Sequence, residues 1–404
     1  MHMPSSTSGD DIVVSTPLRT AIGTFGGQLK DTPAVELGAT IVTQVLTRSG
    51  LNADQVDQVI VGNVLQAGQG MNPGRQVALK AGLPSTVPGM TINRVCGSGL
   101  QAIISASQQV ALRESDIVIA GGIENMDQAP FLLSKARYGY RMGMPKQDLL
   151  DGMVFDGLWD IFNNYHMGMT AENVAEKYGV SRDEADECSA RSHQLAIRAT
   201  EEGAFKDQIV AVNIPQRKGE PVQFSTDEHM RANTTADSLG KLAPVFKKDG
   251  SVTAGNSSGI NDGAAFMLVT RRRTADERGL AVAGRLVSYA VAGIDPAYMG
   301  MGMVPATRKA LERAGLSLED IDVFEVNEAF ASIAVAVARE LAIPEEKLNP
   351  VGGAIALGHP IGASGAVLAV KLLHELARRN ARYGLVTLCI GGGMGIAAIF
   401  EHAN

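Results

Sequence analysis

Cysteine is scarce in this sequence, and the three cysteines that occur, Cys96, Cys188 and Cys389, are widely separated. An odd number of cysteines at such spacing fits neither a disulfide framework nor a CxxC-type metal site. The sequence therefore predicts free thiols in a reducing compartment and no bound metal.

Long hydrophobic runs and an excess of basic charge are also missing. No run of about 18 consecutive apolar residues occurs, and the polar N-terminus lacks the charged-then-apolar pattern of a signal peptide. The net charge of −7 gives no global basic field that would attract nucleic acid or an anionic membrane. We therefore predict a cytoplasmic protein that binds neither nucleic acid nor membrane, and in which an anionic ligand meets locally placed Arg and Lys.

The common cofactor motifs are absent as well. The sequence contains no P-loop and no HExxH motif. The glycine-rich GGGMG segment ends at Gly395, too near the C-terminus to be followed by the helix and strand of a dinucleotide-binding unit. No cofactor is predicted.

What the sequence does contain is an internal repeat. The segment Arg48–Gly62 aligns with Arg313–Asn327 at a constant offset of 265, and each copy passes from a helical pattern through a Gly-Leu pair into a strand pattern. At nearly the same offset, the CGSG segment from Cys96 lies opposite the IGASG segment from Ile361, and each opens a long helical run. Two α/β halves are implied, and their alternating pattern predicts mainly parallel sheets covered by helices.

The repeat also predicts the domain organisation. Residues 129–256 break the pattern and are interpreted as an inserted loop domain, of the kind that often binds ligands. Residues 1–128 together with 257–280 form the N-terminal half, and residues 281–404 form the C-terminal half. The predicted fold class is α/β, with two pseudo-repeated halves.

Cys96 is a candidate nucleophile. It follows a strand pattern and precedes a helix that begins near Gly97, which places its sulfur at a helix N-terminus. The helix dipole and free N–H groups there stabilise a thiolate, so we expect a pKa lowered from about 8.5 toward neutrality. The alternative is an inert buried cysteine.

His359 is the candidate base for this thiol. It precedes a proline in GGAIALGHPIGASG, on the loop that the repeat equates with the Cys96 loop. Two halves related by a pseudo-twofold would bring these loops face to face and form a Cys–His pair. The alternative is a structural or solvated histidine.

Two further residues are candidates for chemistry at the same place. Cys389 ends a buried strand pattern and is followed by three glycines from Gly391, whose backbone can direct N–H groups at a ligand. Asn327, in EVNEAF, could orient a water or hold a carbonyl oxygen, or could serve only as a turn or helix cap. Cys188, on a charged helical stretch, is interpreted as incidental.

Together these segments resemble the thiolase family over nearly the whole chain. The motifs that carry the resemblance are NRVCGSGLQAI, HMGMTAENVA, TAGNSSGINDGAA, NEAF, GGAIALGHPIGASG and CIGGGMGIA, which occur in the family's order. The likeness is strongest to bacterial acetyl-CoA acetyltransferases and β-ketothiolases. It implies a five-layered αβαβα fold, a loop domain covering coenzyme A as co-substrate, a role in fatty acid metabolism, and a homotetramer built as a dimer of dimers.

The resemblance also implies roles for individual residues. Cys96 would be the acylated nucleophile, His359 its base, and Cys389 the acid and base at the substrate α-carbon. Asn327, through a water, would form one oxyanion hole with His359, and the N–H groups of Cys96 and Gly391 would form the other. By the same resemblance, His166 and Ser258 contact the pantetheine arm, Arg231 lies near the nucleotide, and Met299 and Phe330 line the acyl pocket.

The implied activity is condensation of two acetyl-CoA molecules to acetoacetyl-CoA, or the reverse thiolytic cleavage of 3-ketoacyl-CoA; the sequence fixes neither direction nor chain length. Three alternatives remain: a decarboxylating ketosynthase, a non-catalytic acyl-CoA or lipid-binding protein, and a cysteine hydrolase. Cys389 argues against the first, and the presence of both Cys96 and His359 argues against the second.

Two expectations concern the binding surface. Met303 stands where relatives commonly have proline, and with Met299 and Met301 it is expected to form an adaptable acyl pocket. Basic residues are expected to form a local positive patch for coenzyme A. The candidates for this patch are Arg231, Lys135, Arg137, Arg141 and Lys146.

Overall fold

Strands and helices alternate through the first part of the computed structural model, which describes residues 8–140, 142 and 148–403. The first long helix has inward-facing apolar residues, an acidic residue in its first turn, and Gly50 in the left-handed conformation at φ 73° as its stop. The elements are, in chain order, β1 (Ile12–Thr20), β2 (Gly23–Thr24), α1 (Ala34–Ser49), β3 (Gln58–Gly62), α2 (Pro73–Lys80), β4 (Gly89–Ile92), α3 (Ser98–Ala111) and β5 (Ile117–Asn125).

Short hairpins and two long helices follow in the segment predicted as an insertion. Its longest helix begins at a capping box, in which the side chains of Ser181 and Glu184 each accept the other's backbone N–H. The elements are β6 (Phe131–Leu132), β7 (Leu150–Asp151), a π-helical turn (Val154–Leu158), β8 (Trp159–Asp160), β9 (Tyr165–His166), α4 (Met167–Tyr178), α5 (Arg182–Glu201), β10 (Ile209–Val210), β11 (Val212–Ile214), β12 (Val222–Phe224) and α6 (Ala236–Leu239).

The chain then returns to long strands and helices. These are β13 (Asn261–Arg271), α7 (Arg272–Arg278), β14 (Val282–Gly293), α8 (Met303–Ala314), β15 (Val323–Val326), α9 (Ala331–Leu341), α10 (Ala354–Leu357), α11 (Ser364–Arg379), β16 (Tyr383–Ile390) and β17 (Met394–His402). Short 3₁₀ segments connect several elements, at Ala53–Gln55, Ala136–Tyr138, Pro296–Gly302 and Glu345–Lys347.

The two halves repeat the same order of elements. Helix α1 leads into β3 in the first half, as α8 leads into β15 in the second, and both helices end at a left-handed glycine, Gly50 or Gly315. Helix α3 and strand β5 likewise correspond to α11 and β16. The internal repeat predicted from the sequence is therefore confirmed.

The strands of both halves form one sheet, in the order β15-β16-β17-β14-β1-β13-β5-β3-β4, and the halves meet where β1 pairs with β14. Helices α3 and α11 contact each other between the two halves, α1 and α2 cover the outer face of the first half, and α8 and α9 that of the second. Three apolar clusters fill the spaces between these layers. The five-layered αβαβα fold is confirmed.

The expectation of mainly parallel sheets is wrong. Parallel pairing joins β3 to β4 and β5, and β15 to β16, whereas β13, β14 and β17 pair antiparallel with their main neighbours. The reason is visible at the C-terminus, where the glycine turn from Gly391 joins β16 to β17 directly. A connection without a crossover helix returns the chain antiparallel.

The insertion packs on both halves. On the first half, β10 pairs with β1 and the buried Asp227 carboxylate accepts from Arg19 at 2.7 Å. On the second half, α4 and α5 both contact α9. The insertion thereby closes one side of a cavity between the halves. Within the described ranges, the structure has no helix with the length and apolar character needed to cross a bilayer.

Candidate active site

Cys96 lies on a sharp turn between β4 and α3. The preceding residue, Val95, has a positive φ of 44°, which is unusual for a β-branched residue. Ser98 holds the turn, since its hydroxyl accepts the Arg94 N–H at 2.8 Å and donates to the Val95 carbonyl at 2.7 Å. The structure thus presents the Cys96 side chain at the start of a helix.

The state of this thiol differs from the sequence-based expectation. Burial raises the pKa of Cys96 above its ordinary value, and the neighbouring Cys389 raises it further. The backbone N–H groups of Cys96 and Gly391 point at the sulfur and lower the pKa, but their effect is smaller than that of burial. The expected lowered pKa is therefore wrong for the resting site, and Cys96 is a neutral thiol.

The ring of His359 is held by Ser364. Its Nδ1 lies 2.6 Å from the Ser364 Oγ, and that hydroxyl donates its own proton to the Pro360 carbonyl at 2.8 Å. Since the hydroxyl proton is already used, Nδ1 must be the donor and Nε2 carries a lone pair. Burial lowers the pKa of His359 to about 4, so the ring is neutral at pH 7. His359 can therefore accept a proton at Nε2.

Two buried polar residues fix the loop that carries His359. The Asn261 side chain accepts the His359 N–H at 2.8 Å and donates to the Gly23 carbonyl at 2.9 Å. The Glu124 carboxylate accepts N–H groups of Gly362 at 2.9 Å and of Val64 at 3.1 Å. These contacts tie the loop of the second half to elements of the first half.

Sequence reasoning missed Ser364, Asn261 and Glu124. Ser364 and Asn261 lie inside segments quoted for the family resemblance, and Glu124 is a polar residue near the end of the apolar run that forms β5. For Glu124 that pattern was the available signal, because a buried polar side chain needs a hydrogen-bond partner.

Cys389 and Asn327 complete the reactive group. Cys389 is 1% exposed, and burial raises its pKa to about 12, against the lowering effects of its own N–H and the Asn327 side chain. The Asn327 Nδ2 lies 3.4 Å from the His359 Nε2. The Asn327 amide therefore adjoins both the second thiol and the basic nitrogen of His359.

Close packing of two helix starts brings these residues together. A Cβ on Gly99 at the start of α3 would lie 2.8 Å from the Ala366 nitrogen, and one on Gly365 at the start of α11 would lie 2.5 Å from the Leu100 nitrogen. Only glycine allows this approach on both sides. The pseudo-symmetric loops predicted from the repeat thus meet at one place.

The Cys96 and His359 loops open into a cavity of about 360 Å³, a size typical of small-molecule sites. Nine of the ten residues to which the family resemblance gives a catalytic or binding role line it, and Asn327 lies behind His359. The nine are Cys96, His166, Arg231, Ser258, Met299, Phe330, His359, Cys389 and Gly391.

The insertion supplies an aromatic wall to this cavity. His166 caps α4 by accepting the Gly168 N–H at Nδ1, and burial lowers its pKa. Its ring stacks on Phe246 with centroids 4.7 Å apart, and Phe246 meets Phe330 edge to face. Sequence reasoning missed Phe246, because its segment contains no feature that points to the cavity.

Arg231 is the one Arg or Lys that lines the cavity within the described ranges. Its backbone N–H donates to His193 Nδ1 at 3.2 Å, and its side chain is exposed. Lys135 and Arg137 are exposed but do not line the cavity, and Arg141 and Lys146 lie outside the described residues.

The methionine pocket expected from the sequence is only partly present. Met299 lines the cavity, together with Met126 and Met167. Met301 and Met303 are 2% and 0% exposed and pack in the core under α8 and α9. The expectation was wrong for these two residues, because the 3₁₀ segment Pro296–Gly302 and the start of α8 turn their side chains inward.

Comparison with known proteins gives matches over nearly the whole chain. Residues 12–273 match the family model described as "Thiolase, N-terminal domain", and residues 280–402 match "Thiolase, C-terminal domain". An acetyl-CoA acetyltransferase of Pseudomonas aeruginosa is 55% identical, over 96% of this chain and 98% of its own. The crystal structure of the Bacillus anthracis acetyl-CoA acetyltransferase is 45% identical with TM-score 0.95, covering 97% and 99% of the two chains. That of human mitochondrial 3-ketoacyl-CoA thiolase in complex with CoA is 40% identical with TM-score 0.94, covering 99% and 100%.

Proposed function

The chain belongs to the thiolase family and is a thiolase enzyme; on that premise we propose that it condenses two acetyl-CoA molecules reversibly to acetoacetyl-CoA and coenzyme A through an acyl-Cys96 intermediate. The same chemistry in reverse cleaves 3-ketoacyl-CoA. The observation that carries the proposal is the meeting of two thiols, Cys96 and Cys389, with the neutral His359 at one cavity.

In the first half-reaction Cys96 attacks the thioester carbonyl of acetyl-CoA and transfers its proton to His359 Nε2. Because both groups are neutral at rest, this transfer accompanies the attack and no thiolate is stored beforehand. The negative oxygen that forms is stabilised by the N–H groups of Cys96 and Gly391, which point at the Cys96 sulfur. The carbonyl then re-forms, and coenzyme A leaves as a thiolate that takes the proton of the Cys389 thiol.

In the second half-reaction the Cys389 thiolate takes a proton from the α-carbon of another acetyl-CoA. The resulting enolate oxygen is stabilised at Asn327 and His359, and its carbon attacks the acyl carbonyl on Cys96 to form the new carbon–carbon bond. Collapse of this adduct expels Cys96, which recovers its proton from His359. The three groups return to their starting protonation states, so the cycle balances.

Substrate binding uses the cavity between the halves. We assign coenzyme A contacts to His166, Ser258 and the exposed Arg231, and the acyl pocket to Met299 and Phe330. The stacked His166 and Phe246 rings offer an apolar wall for the pantetheine arm, while Arg231 offers the positive charge that a phosphate needs. Coenzyme A is a co-substrate in this scheme, and the scheme requires no cofactor or metal.

The alternatives fit these residues less well. A second thiol has no role in a cysteine hydrolase, and a non-catalytic binding protein has no need of an oriented Cys–His pair. Cleavage of acetoacetyl-CoA should depend strictly on free coenzyme A, because the acyl group must leave Cys96 on a second thiol. Cleavage at an equal rate without coenzyme A would identify a hydrolase.

The acyl-enzyme is tested directly by incubating the protein with acetyl-CoA, quenching in acid and mapping the adduct by mass spectrometry. Acetylation is expected on Cys96, and His359→Ala should slow it by about two to four orders of magnitude. Acetylation confined to Cys188, or absent altogether, would contradict the mechanism.

We also propose a cytoplasmic homotetramer, built as a dimer of dimers, with a role in fatty acid metabolism. The apolar side chains that the insertion exposes, Phe131, Ile161 and Phe162, support subunit contacts, because a monomer rarely leaves such groups uncovered. Light scattering after gel filtration should give four times the chain mass, and a single-chain mass would contradict the assembly.

A further inference from the structure

A buried ion pair lies behind the Asn327 amide. Lys371 Nζ donates to Glu325 Oε2 at 2.8 Å and to the Gly352 carbonyl at 2.7 Å, and the two charged side chains are 1% and 0% exposed. A buried ion pair contributes little net stability compared with apolar residues of the same size. Its position relative to the site therefore suggests another role.

Each residue of this ion pair lies on the same element as a residue that contacts His359. Lys371 follows Ser364 by seven residues on α11, so both lie on one face of the helix. Glu325 precedes Asn327 by two residues at the end of β15, so both point to one face of the sheet. Ser364 and Asn327 contact His359 on the side of the main cavity. Lys371 and Glu325 contact each other on the far side of Ser364 and Asn327.

A small cavity lies between the Asn327 side chain and Lys371. Its volume is about 10 Å³, enough for one water, and its wall includes Asn327, Ser364 and Lys371. The Asn327 Oδ1 is buried and has no hydrogen-bond partner among the described residues. Lys371 has three N–H donors, of which Glu325 and Gly352 use two.

From this arrangement we propose that Lys371 is a positioning residue for the condensation step, acting on Asn327 through one water bound in the small cavity. The water accepts a hydrogen bond from Lys371 Nζ and donates one to Asn327 Oδ1. With Oδ1 held in this way, Nδ2 stays directed at His359 Nε2. Were the amide turned over, its oxygen would face the lone pair of that nitrogen, and the site would lose a donor for the enolate.

This inference rests on the proposed function, in which Asn327 serves the second half-reaction and not the loading of Cys96. Removing the water-binding cation should therefore slow condensation and exchange of the acetyl-CoA α-protons with deuterated water. Acetylation of Cys96 and the KM for acetyl-CoA should remain near their original values. A purely structural role of Lys371 would change all four measurements together.

The decisive variant is Glu325→Gln/Lys371→Met, which removes both charges at nearly constant volume, because Lys371→Met alone would leave a buried carboxylate unpaired. We expect about a tenfold to hundredfold loss of condensation kcat, the effect of a misplaced catalytic group, with acetylation of Cys96 changed less than about twofold. Glu375→Gln is the matched control, since it removes another buried charge from α11, one that pairs with Arg378 and Arg379. This control should condense acetyl-CoA at the original rate.

The outcomes separate the two proposals. If the unmodified protein neither acetylates Cys96 nor condenses acetyl-CoA, the proposed function fails. Two results with an active unmodified protein would overturn only the role of Lys371. One is a double variant that condenses acetyl-CoA as fast as the unmodified protein. The other is a double variant whose Cys96 acetylation falls by the same factor as its condensation. A crystal structure of the unmodified protein gives a check that needs no variant: an ordered water between Lys371 and Asn327 is expected, and a direct contact between them would overturn the proposal.

Discussion

The Ser364 hydroxyl lies 2.6 Å from His359 Nδ1 and directs its own proton to the Pro360 carbonyl, so it fixes which ring nitrogen of His359 is basic. A hydroxyl seven residues before Lys371 on the same helix thus sets the tautomer of the histidine that we propose as the base for Cys96. Through this contact, a backbone carbonyl of the second half orients the ring that faces Cys96 at the start of α3 in the first half.

The first prediction is that Ser364→Ala slows acetylation of Cys96 by about tenfold to hundredfold, part of what a positioned base contributes. Without the hydroxyl, the ring can rotate or take the other tautomer. The matched control is Ser107→Ala, which removes a buried hydroxyl on α3 that donates to the Ile104 carbonyl away from the cavity. Quenched time courses of acetylation measure both variants, and equal rates would show that Ser364 does not orient the ring.

The second prediction concerns pH. Burial lowers the pKa of His359 to about 4, below its ordinary value of 6.5, and Nε2 loses its lone pair only when the pH falls through that lower value. The rate of Cys96 acetylation should therefore stay flat between about pH 5 and pH 8. A fall centred near pH 6.5 would show that the resting histidine is solvated, contrary to the structure.

The repeat and the local motifs were enough to predict the halves, the helix starts and the meeting of Cys96 with His359, whereas most other residues of the cavity were predicted from the family resemblance. The offset that relates Arg48–Gly62 to Arg313–Asn327 is a local pattern, and so is the glycine spacing that lets α3 and α11 approach. Both patterns reflect local backbone conformation, which a few neighbouring residues are enough to determine.

What the sequence did not predict depends on contacts between distant segments. Cys96 has the helix start that lowers a thiol pKa, but burial by remote segments raises it instead. Phe246 stacks on His166, a distant residue of the same insertion, and meets Phe330 of the second half only through the tertiary fold. The same long-range packing turns Met301 and Met303 into the core and away from the cavity. None of these effects has a local sequence signature.

The third prediction assigns coenzyme A recognition to Arg231 among the basic residues proposed from the sequence. Arg231→Gln should raise the KM for coenzyme A about twofold to fivefold, because an exposed ion pair contributes up to about 1 kcal/mol. It should also weaken the dependence of KM on salt, since salt screens that contact. Arg137→Gln is the control, because Arg137 is exposed but does not line the cavity. A larger effect at Arg137 would place the anion site elsewhere on the insertion.

The last prediction divides labour between Cys96 and Cys389. Carbon–carbon bond formation needs a base at the α-carbon while the acyl group occupies Cys96, and one thiol cannot do both. Cys389→Ala should therefore still acetylate Cys96 and exchange labelled coenzyme A into acetyl-CoA, because the coenzyme A thiolate is a good leaving group, though the exchange should be slower without the Cys389 proton.

The same variant should lose condensation and the exchange of acetyl-CoA α-protons with deuterated water, both by at least about two orders of magnitude, the contribution of a positioned acid or base. Cys188→Ala is the matched control, since Cys188 lies on α5 and does not line the cavity; it should match the unmodified enzyme in all four assays. Near-normal condensation in Cys389→Ala would mean that Cys389 is only a packed residue of β16 and that another group takes the α-proton. His359 Nε2 would then be the next candidate, because the ring is neutral, carries a lone pair there and lies 3.4 Å from the Asn327 amide.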